Sequence, residues 1–231
     1  MNEWMWHFLD RVRLDAAHLT LGDLSFVEDS LMGKSAVSVD DWLKRKNWVS
    51  SNLEMRQKGS KQPWQRYIFL EQKMAGHRKP WKVAVLGLSA LQGFYNRTLF
   101  EAHDPAEALP GLLTPIRGRF DYVILLTDLH AGQVEELIRG NAGINLAILA
   151  NHGVSLNPPK RVGDTAVVEA NDQGKFLGEL ALYLDRDAQV SRIRNRYIEL
   201  NASIPDPPEL GKMAQEAEQQ LNAIRLKASI H

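Results

Sequence analysis

The stretch FDYVILLTDLHAG, residues 120–132, decides the fold of this chain of 231 residues. Its first half is a continuous apolar run, which is typical of a strand buried on both faces of a parallel sheet. Its second half is a short polar loop, and Gln133–Arg139 then has the pattern of a helix. The order strand, loop, helix predicts an α/β fold in which functional side chains lie at the carboxyl ends of the strands.

The same kinds of element are predicted on both sides of this stretch. GINLAILA (143–150) predicts a second buried strand, and the loop NHGVSLNPPK follows it. RYIFLE (66–71) and WKVAVLGL (81–88) predict an antiparallel pair joined by a polar turn. Nearer the amino terminus, Ala16–Leu21 predicts a strand, and Asp23 is placed to cap a helix after it.

The last third of the chain has a different pattern. Thr165–Ala170, Gly174–Asp185 and Val190–Leu200 alternate apolar and polar residues, which predicts an antiparallel meander at the sheet edge with one face in water. Pro205–Pro208 then breaks the alternation. Glu209–Leu226 has the spacing of a polar amphipathic helix.

The composition excludes several classes of protein. Lys and Arg number 28 and Asp and Glu also number 28, so no general field attracts phosphate backbones or anionic lipid. We find no local basic patch in the sequence, and we therefore expect neither a nucleic acid polymer nor a membrane as partner. Cysteine is absent, which removes disulfides, thiolate nucleophiles and cysteine-based metal sites. The apolar runs are too short for a membrane span and the start does not resemble a signal peptide, so the chain as written is expected to be cytoplasmic.

Two loops after buried strands carry candidate metal ligands. The first contains Asp128 and His130, and the second contains Asn151 and His152. Carboxylate, imidazole and amide groups bind divalent metals such as manganese, iron or zinc, and loops at the carboxyl edges of adjacent strands can converge. The alternative is structural: Asp128 caps the helix near Gln133, and His152 closes a turn. No nucleophile elbow, phosphate-binding P-loop or dinucleotide fingerprint is present.

The order of these pieces resembles the later part of a 5'-nucleotidase-type metallophosphoesterase domain of the calcineurin-like superfamily, in its UshA-like form. The similarity covers roughly Asp15 to Leu200. It is carried by the following runs, of which the glycine-bearing part of the last is the closest match: VSSN, RYIFLE, WKVAVLGLSA, FDYVILLTDLHAG, GINLAILANHG and GDTAVVEANDQGKFLGELALYLD.

The resemblance implies part of a four-layer α/β/β/α sandwich with mixed sheets and, in active members, two divalent metals that activate a water for attack on a phosphate ester. The family's first two metal motifs are not found. Where the family has Gly-Asn-His-Glu, this chain has Gly22-Asp23-Leu24-Ser25. Asp128 stands at the family's histidine, with His130 two residues later. The loop Asn151-His152-Gly153 departs from the family's Gly-His-x-His.

Two functional hypotheses follow from the resemblance. The first is a degenerate, catalytically inactive domain over 1–200, with a linker and helix over 201–231, that has a binding or structural role and needs no cofactor. The second is an active metal-dependent phosphoesterase for nucleotides or other phosphomonoesters, with manganese, zinc or iron held by a rebuilt site. The candidate metal ligands are Asp23, Asp128, His130, Asn151 and His152; no catalytic residue is assigned.

The missing front motifs also lead to expectations about partners and location. Absence of the strands that carry them would expose part of the central sheet, which a helix over Glu3–Leu14, a second copy of the chain or another partner would cover. A nucleotide is the small ligand that the resemblance implies. Related enzymes are commonly periplasmic, so a periplasmic location is expected if an amino-terminal part has been removed.

Overall fold

The strand predicted over residues 120–127 lies inside a six-stranded sheet in the computed structural model. The structure describes residues 8, 11–33, 47–56, 62–74, 78–91, 98–150, 158–169 and 174–228. The strands are β1 (Ala17–His18), β2 (Trp48–Val49), β3 (Leu53–Met55), β4 (Ile68–Gln72), β5 (Trp81–Leu88), β6 (Phe100–Ala102), β7 (Tyr122–Thr127), β8 (Leu146–Leu149), β9 (Lys160–Val162), β10 (Thr165–Glu169), β11 (Phe176–Leu184) and β12 (Val190–Glu199). The helices are α1 (Leu21–Leu31), α2 (Pro105–Leu113), α3 (Ala131–Gly140) and α4 (Pro208–Ala228).

The large sheet has the strand order β4-β5-β7-β8-β10-β9. Its four inner strands are parallel, and each edge strand is antiparallel to its neighbour. The predicted antiparallel pairing of the β4 and β5 segments is therefore confirmed. Smaller two-stranded sheets are formed by β1 with β2, β3 with β6, and β11 with β12. The predicted α/β class with mixed sheets is confirmed.

Apolar side chains cover both faces of the large sheet. On one face, residues of β5, β7 and β8 pack with buried residues of α2 and α3, such as Leu109 and Leu137. On the other face, Val85 and Ala166 pack with Leu182 and Ile193 of the β11–β12 hairpin. Because the inner strands are covered on both faces, they are continuous apolar runs rather than alternating ones.

Two parts of the predicted secondary structure were wrong. The predicted meander at the sheet edge is not one element: β10 is buried throughout and runs parallel to β8 inside the sheet, whereas β11 and β12 form a separate hairpin. The pattern of β10 misled because five residues with one threonine and one glutamate look amphipathic even when both faces are covered. The polar stretch EMRQKGSKQP (54–63) predicts a loop, but its first residues belong to β3, which pairs with β6.

The chain divides into two compact units. One comprises residues 14–199 and contains the twelve strands named above with α1, α2 and α3; the other comprises residues 1–13 and 200–231 and contains α4. In the second unit Arg11 and Glu209 form an exposed ion pair at 3.6 Å. The predicted domain boundary at 200 and the helix predicted over 3–14 stay predictions, since most of that helix lies outside the described residues. None of the helices in the described ranges is long and apolar enough to cross a membrane.

Two tyrosines of the core provide a test of its packing. The Tyr122 hydroxyl is buried without a hydrogen-bond partner among the described residues, and burial raises its pKa to about 12. The Tyr67 hydroxyl, in contrast, donates to the carbonyl of Leu112 at 3.0 Å. We expect Tyr122→Phe to leave the free energy of unfolding unchanged or to raise it, because an unpaired buried hydroxyl is removed. We expect Tyr67→Phe to lower that free energy by about 1 kcal/mol. Urea unfolding of both variants measures the difference, and equal losses would contradict it.

Candidate functional site

His18 is the centre of a polar cluster at the carboxyl end of β1. The half-buried ring lies between β2 and β5. Its Nδ1 is 3.0 Å from the carbonyl oxygen of Val49, and its Nε2 is 3.2 Å from the hydroxyl of Ser89. A carbonyl oxygen can only accept, so Nδ1 carries a proton and donates it to Val49. Both ring nitrogens are therefore engaged by the protein.

The surroundings of His18 favour its neutral form. Burial lowers the pKa of His18, although the Val49 carbonyl and the carboxylates of Asp128 and Asp23 act in the opposite direction. In a neutral ring Nε2 has no proton and accepts from Ser89. The Ser89 hydroxyl also lies 3.0 Å from the carbonyl oxygen of Leu19, so its single proton is shared between two acceptors. The cluster thus joins β1 and the end of β5 through one hydroxyl group.

Gly87 in β5 makes room for this ring. A Cβ atom at position 87 would lie 2.8 Å from the carbonyl oxygen of Val49 and would overlap the imidazole of His18. The absence of a side chain at this position lets the backbone of β5 approach β2 closely. The backbone N–H of Ser51 donates to the Gly87 carbonyl at 2.6 Å, and the N–H of Gly87 donates to the Ser51 hydroxyl at 3.0 Å.

Asn52 fixes the loop next to the cluster. Its side chain is 1 % exposed and uses three hydrogen bonds. The amide nitrogen donates to the carbonyls of Ser89 and His103 at 2.9 and 2.8 Å, and the amide oxygen accepts from the N–H of Ser89 at 2.9 Å. Both amide protons and the amide oxygen are thus bonded to backbone groups. Asn52 is therefore a structural clamp between the ends of β5 and β6.

Asp23 does not cap α1 as the sequence predicted. The N-cap is Thr20, and Asp23 is the third residue of the helix. Its Oδ2 accepts from the N–H and the hydroxyl of Thr20 at 2.9 and 2.7 Å. The helix starts earlier than predicted because Thr20 is itself a good N-cap and an acidic residue three positions later completes a capping box. Asp23 remains close enough to His18 to influence its pKa.

The two candidate metal ligands after β7, Asp128 and His130, have different surroundings. Asp128 accepts at Oδ1 from the N–H of Ala90 at 2.8 Å and also acts on His18, so its predicted alternative role as the cap of α3 is wrong. The N-cap is His130, which is exposed. His130 lines a cavity of about 520 Å³ between α2 and α3. Its other polar lining residues are Asp104, Gln133, Glu136 and Asn141.

The described residues do not fit a two-metal centre. Asn151 and His152 lie outside the described residues, so the structure places neither. In the ranges that it does describe, no three His, Asp or Glu side chains converge to hold a metal ion. His18 is bound through both nitrogens, and the observed contacts of Asp23 and Asp128 are to protein N–H and hydroxyl groups. Asp23 and Asp128 both lie close enough to His18 to act on its pKa, and His130 forms no group of three such ligands with other described residues.

Sequence reasoning missed His18, Ser89 and Asn52. The signal for Asn52 was present, since VSSN was one of the runs that carried the resemblance. The signal for Ser89 was its position directly after the strand WKVAVLGL. His18 gave no signal of its own, because a single histidine in a two-residue strand has no spacing from which a partner can be predicted.

Comparison with solved structures shows which proteins share this fold. Sulfate thiohydrolase SoxB of Thermus thermophilus matches with a TM-score of 0.70 at 18% identity, over 93% of this chain and 38% of that chain. A 5'-nucleotidase precursor, also of Thermus thermophilus, matches with a TM-score of 0.75 at 17% identity, over 96% and 46%. The calcineurin-like phosphoesterase YfkN of Bacillus subtilis matches with 0.70 at 16%, over 97% and 76%. The chain has the fold of the calcineurin-like phosphoesterases.

These similarities concern the fold. No protein-family model matches the sequence, and comparison with curated proteins finds no match either. The chain spans less than half the length of the SoxB and 5'-nucleotidase structures. Identities of 16 to 18% leave the side chains of the site free to differ. The fold that the resemblance implied is confirmed, while activity has to be argued from the residues themselves.

Gly87→Ala tests the close approach around His18. The added methyl group would collide with a backbone carbonyl and a ring that is bound at both nitrogens, so the free energy of unfolding should fall by about 1–3 kcal/mol. Gly111→Ala is the matched control, because no atom lies within 4 Å of its Cβ position in α2. Alanine there should be neutral or stabilise by up to about 1 kcal/mol. Urea unfolding measures both, and a Gly87 variant as stable as the control would contradict the geometry.

The lowered pKa of His18 predicts a pH-dependent stability. The unfolded chain takes up this proton near the ordinary pKa of 6.5, whereas the folded chain takes it up only at lower pH. The contribution of His18 to the free energy of unfolding is therefore fully present above pH 6.5. It is lost as the pH falls towards the pKa of the folded chain. The free energy of unfolding should therefore be lower at about pH 5.5 than at about pH 7.5.

His18→Gln tests this pH dependence. The variant should lose the His18 part of the difference in unfolding free energy between the two pH values, whatever its absolute stability. His103→Gln should keep it, since His18 is intact and His103 is an exposed residue beside Glu54. Urea unfolding at both pH values gives the comparison. An unchanged pH difference in His18→Gln would show that the ring is not the titrating group.

Proposed function

We propose that this chain is a phosphoesterase-fold domain without catalytic activity that serves in binding. The observation that carries the proposal is that the polar groups around His18 are already hydrogen-bonded to other groups of the protein. Both nitrogens of His18 contact Val49 and Ser89, and Asp23 and Asp128 accept from protein donors. Asp23 and Asp128 stand at positions where the resemblance implies metal ligands in the active proteins.

The alternative, an active phosphoesterase, requires a complete two-metal site. Two-metal hydrolysis of a phosphate ester needs ligands from several loops, held so that a bridging water is activated and the leaving oxygen is stabilised. Removing Asp128 from Ala90 would take away the acceptor of that N–H, and removing His18 from Val49 and Ser89 would break both hydrogen bonds of its ring. Each ligand would thus cost hydrogen bonds that the fold uses.

The cavity beside His130 is less suited to a nucleotide than to other ligands. Two carboxylates, Asp104 and Glu136, lie in its lining. The lining residues, all within the described ranges, include no lysine or arginine. A nucleotide phosphate would meet negative charge there without a compensating cation. We therefore propose that the domain binds a macromolecular partner, without a resident cofactor, and that any small ligand of this cavity is secondary.

Metal content decides between the inactive and the active interpretation. The purified full chain is incubated with manganese and zinc, dialysed exhaustively and measured by elemental mass spectrometry, with hydrolysis of p-nitrophenyl phosphate and AMP followed in parallel. We expect metal far below one equivalent and no hydrolysis above the metal-only control.

The active alternative would give the opposite pattern. About two equivalents of metal, lost in Asp128→Ala together with phosphate release, would overturn the proposal and place the rebuilt site at Asp23, Asp128, His130 and the loop of Asn151 and His152. Asp164→Ala is the control for a general loss of negative charge, because Asp164 is exposed and is not one of the candidate ligands. Metal retained by Asp164→Ala and lost by Asp128→Ala would make that result specific.

A further inference from the structure

The outer face of the β11–β12 hairpin carries three arginines in a row. Successive side chains of a strand point to opposite faces, so Arg192, Arg194 and Arg196 of β12 share one face. All three are exposed, whereas Ile193 packs into the core and Asn195 is buried. We call these three side chains the arginine stripe. The sequence shows no run of basic residues here, because the three arginines come together only when strand alternation places every second residue on one face.

The arginine stripe is only partly neutralised. Arg196 makes a bidentate ion pair with Glu179 across the hairpin, at 2.8 and 2.7 Å, and this pairing lowers the pKa of the Glu179 carboxyl. The Arg192 guanidinium lies 5.3 Å from the centre of the Tyr183 ring. Arg194 faces Ala181, and its charge also acts on Glu179. Three positive charges on this face are therefore balanced by one glutamate in β11.

The spacing of the stripe fits an extended acidic chain. Alternate residues of a β-strand are about 6.6–6.8 Å apart, and the same spacing separates alternate side chains of an extended peptide laid along it. The pairing of Glu179 with Arg196 shows how a carboxylate engages one of these guanidinium groups as a fork. Leu177, 55% exposed, lies opposite Ile198 at one end of the face and offers an apolar contact.

We propose that the arginine stripe binds an acidic, extended protein segment in which carboxylates alternate with other residues and a large apolar residue follows. The interaction involves none of the residues of the His18 cluster, so it stands whether or not the domain is catalytic. A single-stranded nucleic acid fits less well, because the exposed aromatic ring of the face, Tyr183, already has Arg192 over it. A base would have to displace that guanidinium in order to stack.

A designed peptide tests the proposal on the full chain. The probe is a fluorescent peptide of about ten residues in which glutamate alternates with threonine and leucine stands at one end. Anisotropy at low salt should show saturable binding that weakens as salt is raised, because exposed charges are screened. A peptide with lysine in place of glutamate should not bind.

Two variants locate the binding on the hairpin. Arg192→Gln combined with Arg194→Gln should weaken peptide binding about tenfold, with an unchanged thermal midpoint since both side chains are exposed. Glu179→Gln should strengthen binding about threefold, because it releases the Arg196 fork. Arg117→Gln removes an exposed arginine from a different surface and should change nothing.

Three results would overturn the proposal. The first is no binding of the glutamate peptide at low salt. The second is equal binding by wild type and the double arginine variant. The third is tighter, arginine-dependent binding of single-stranded oligothymidylate than of the peptide, which would make the partner a nucleic acid. The increase expected for Glu179→Gln cannot arise from loss of folding, so it separates the interaction from a simple structural effect.

Discussion

Three short segments of this chain meet at the side chain of Asn52. Its amide donates to the carbonyls of Ser89 and His103 and accepts from the N–H of Ser89, so the ends of β5 and β6 are held against the turn after β2. Each such bond contributes about 1 kcal/mol net, but leaving the buried partners unpaired would cost more. β1 pairs with β2 over only two residues, and the bonds of Asn52 together with those between Ser51 and Gly87 join this small sheet to the end of β5.

The clamp also determines the chemical character of the neighbouring cluster. With β2 and β5 this close, Gly87 leaves room for one ring, and that ring reaches a carbonyl on one side and a hydroxyl on the other. Burial keeps His18 neutral, and two carboxylates nearby reduce the effect without reversing it. A neutral imidazole that is bound at both nitrogens stabilises the junction of the strands. The same group can serve as a metal ligand only if one of these bonds is given up.

The sequence predicted the parts of this fold that depend on long apolar patterns. β5 was predicted with its observed bounds, and β7, β8, α3 and the pairing of β4 with β5 were recognised because each element buries a face with a regular period. The cluster was not predicted, since His18, Ser89 and Asn52 are 34 to 71 residues apart and meet only through tertiary contacts. The predictions for β10 and for the start of α1 were wrong for local reasons. A short strand has too few residues to reveal its environment, and Thr20 is the N-cap in place of Asp23.

Packing and the candidate site are carried by different residues in this fold, so the residues of the site can change while the scaffold is retained. The two apolar layers against the large sheet contain almost only aliphatic and aromatic side chains from strands and helices. Loop side chains such as Asp128 or His130 lie outside these layers, so they can be exchanged with little change in buried apolar area. Gly87 and Asn52 cannot, because the one leaves space for a ring and the other pairs buried backbone groups. Identities below 20% with enzymes of the same fold are therefore compatible with a retained scaffold and an altered site. A new surface such as the arginine stripe can likewise arise on the hairpin without disturbing either apolar layer.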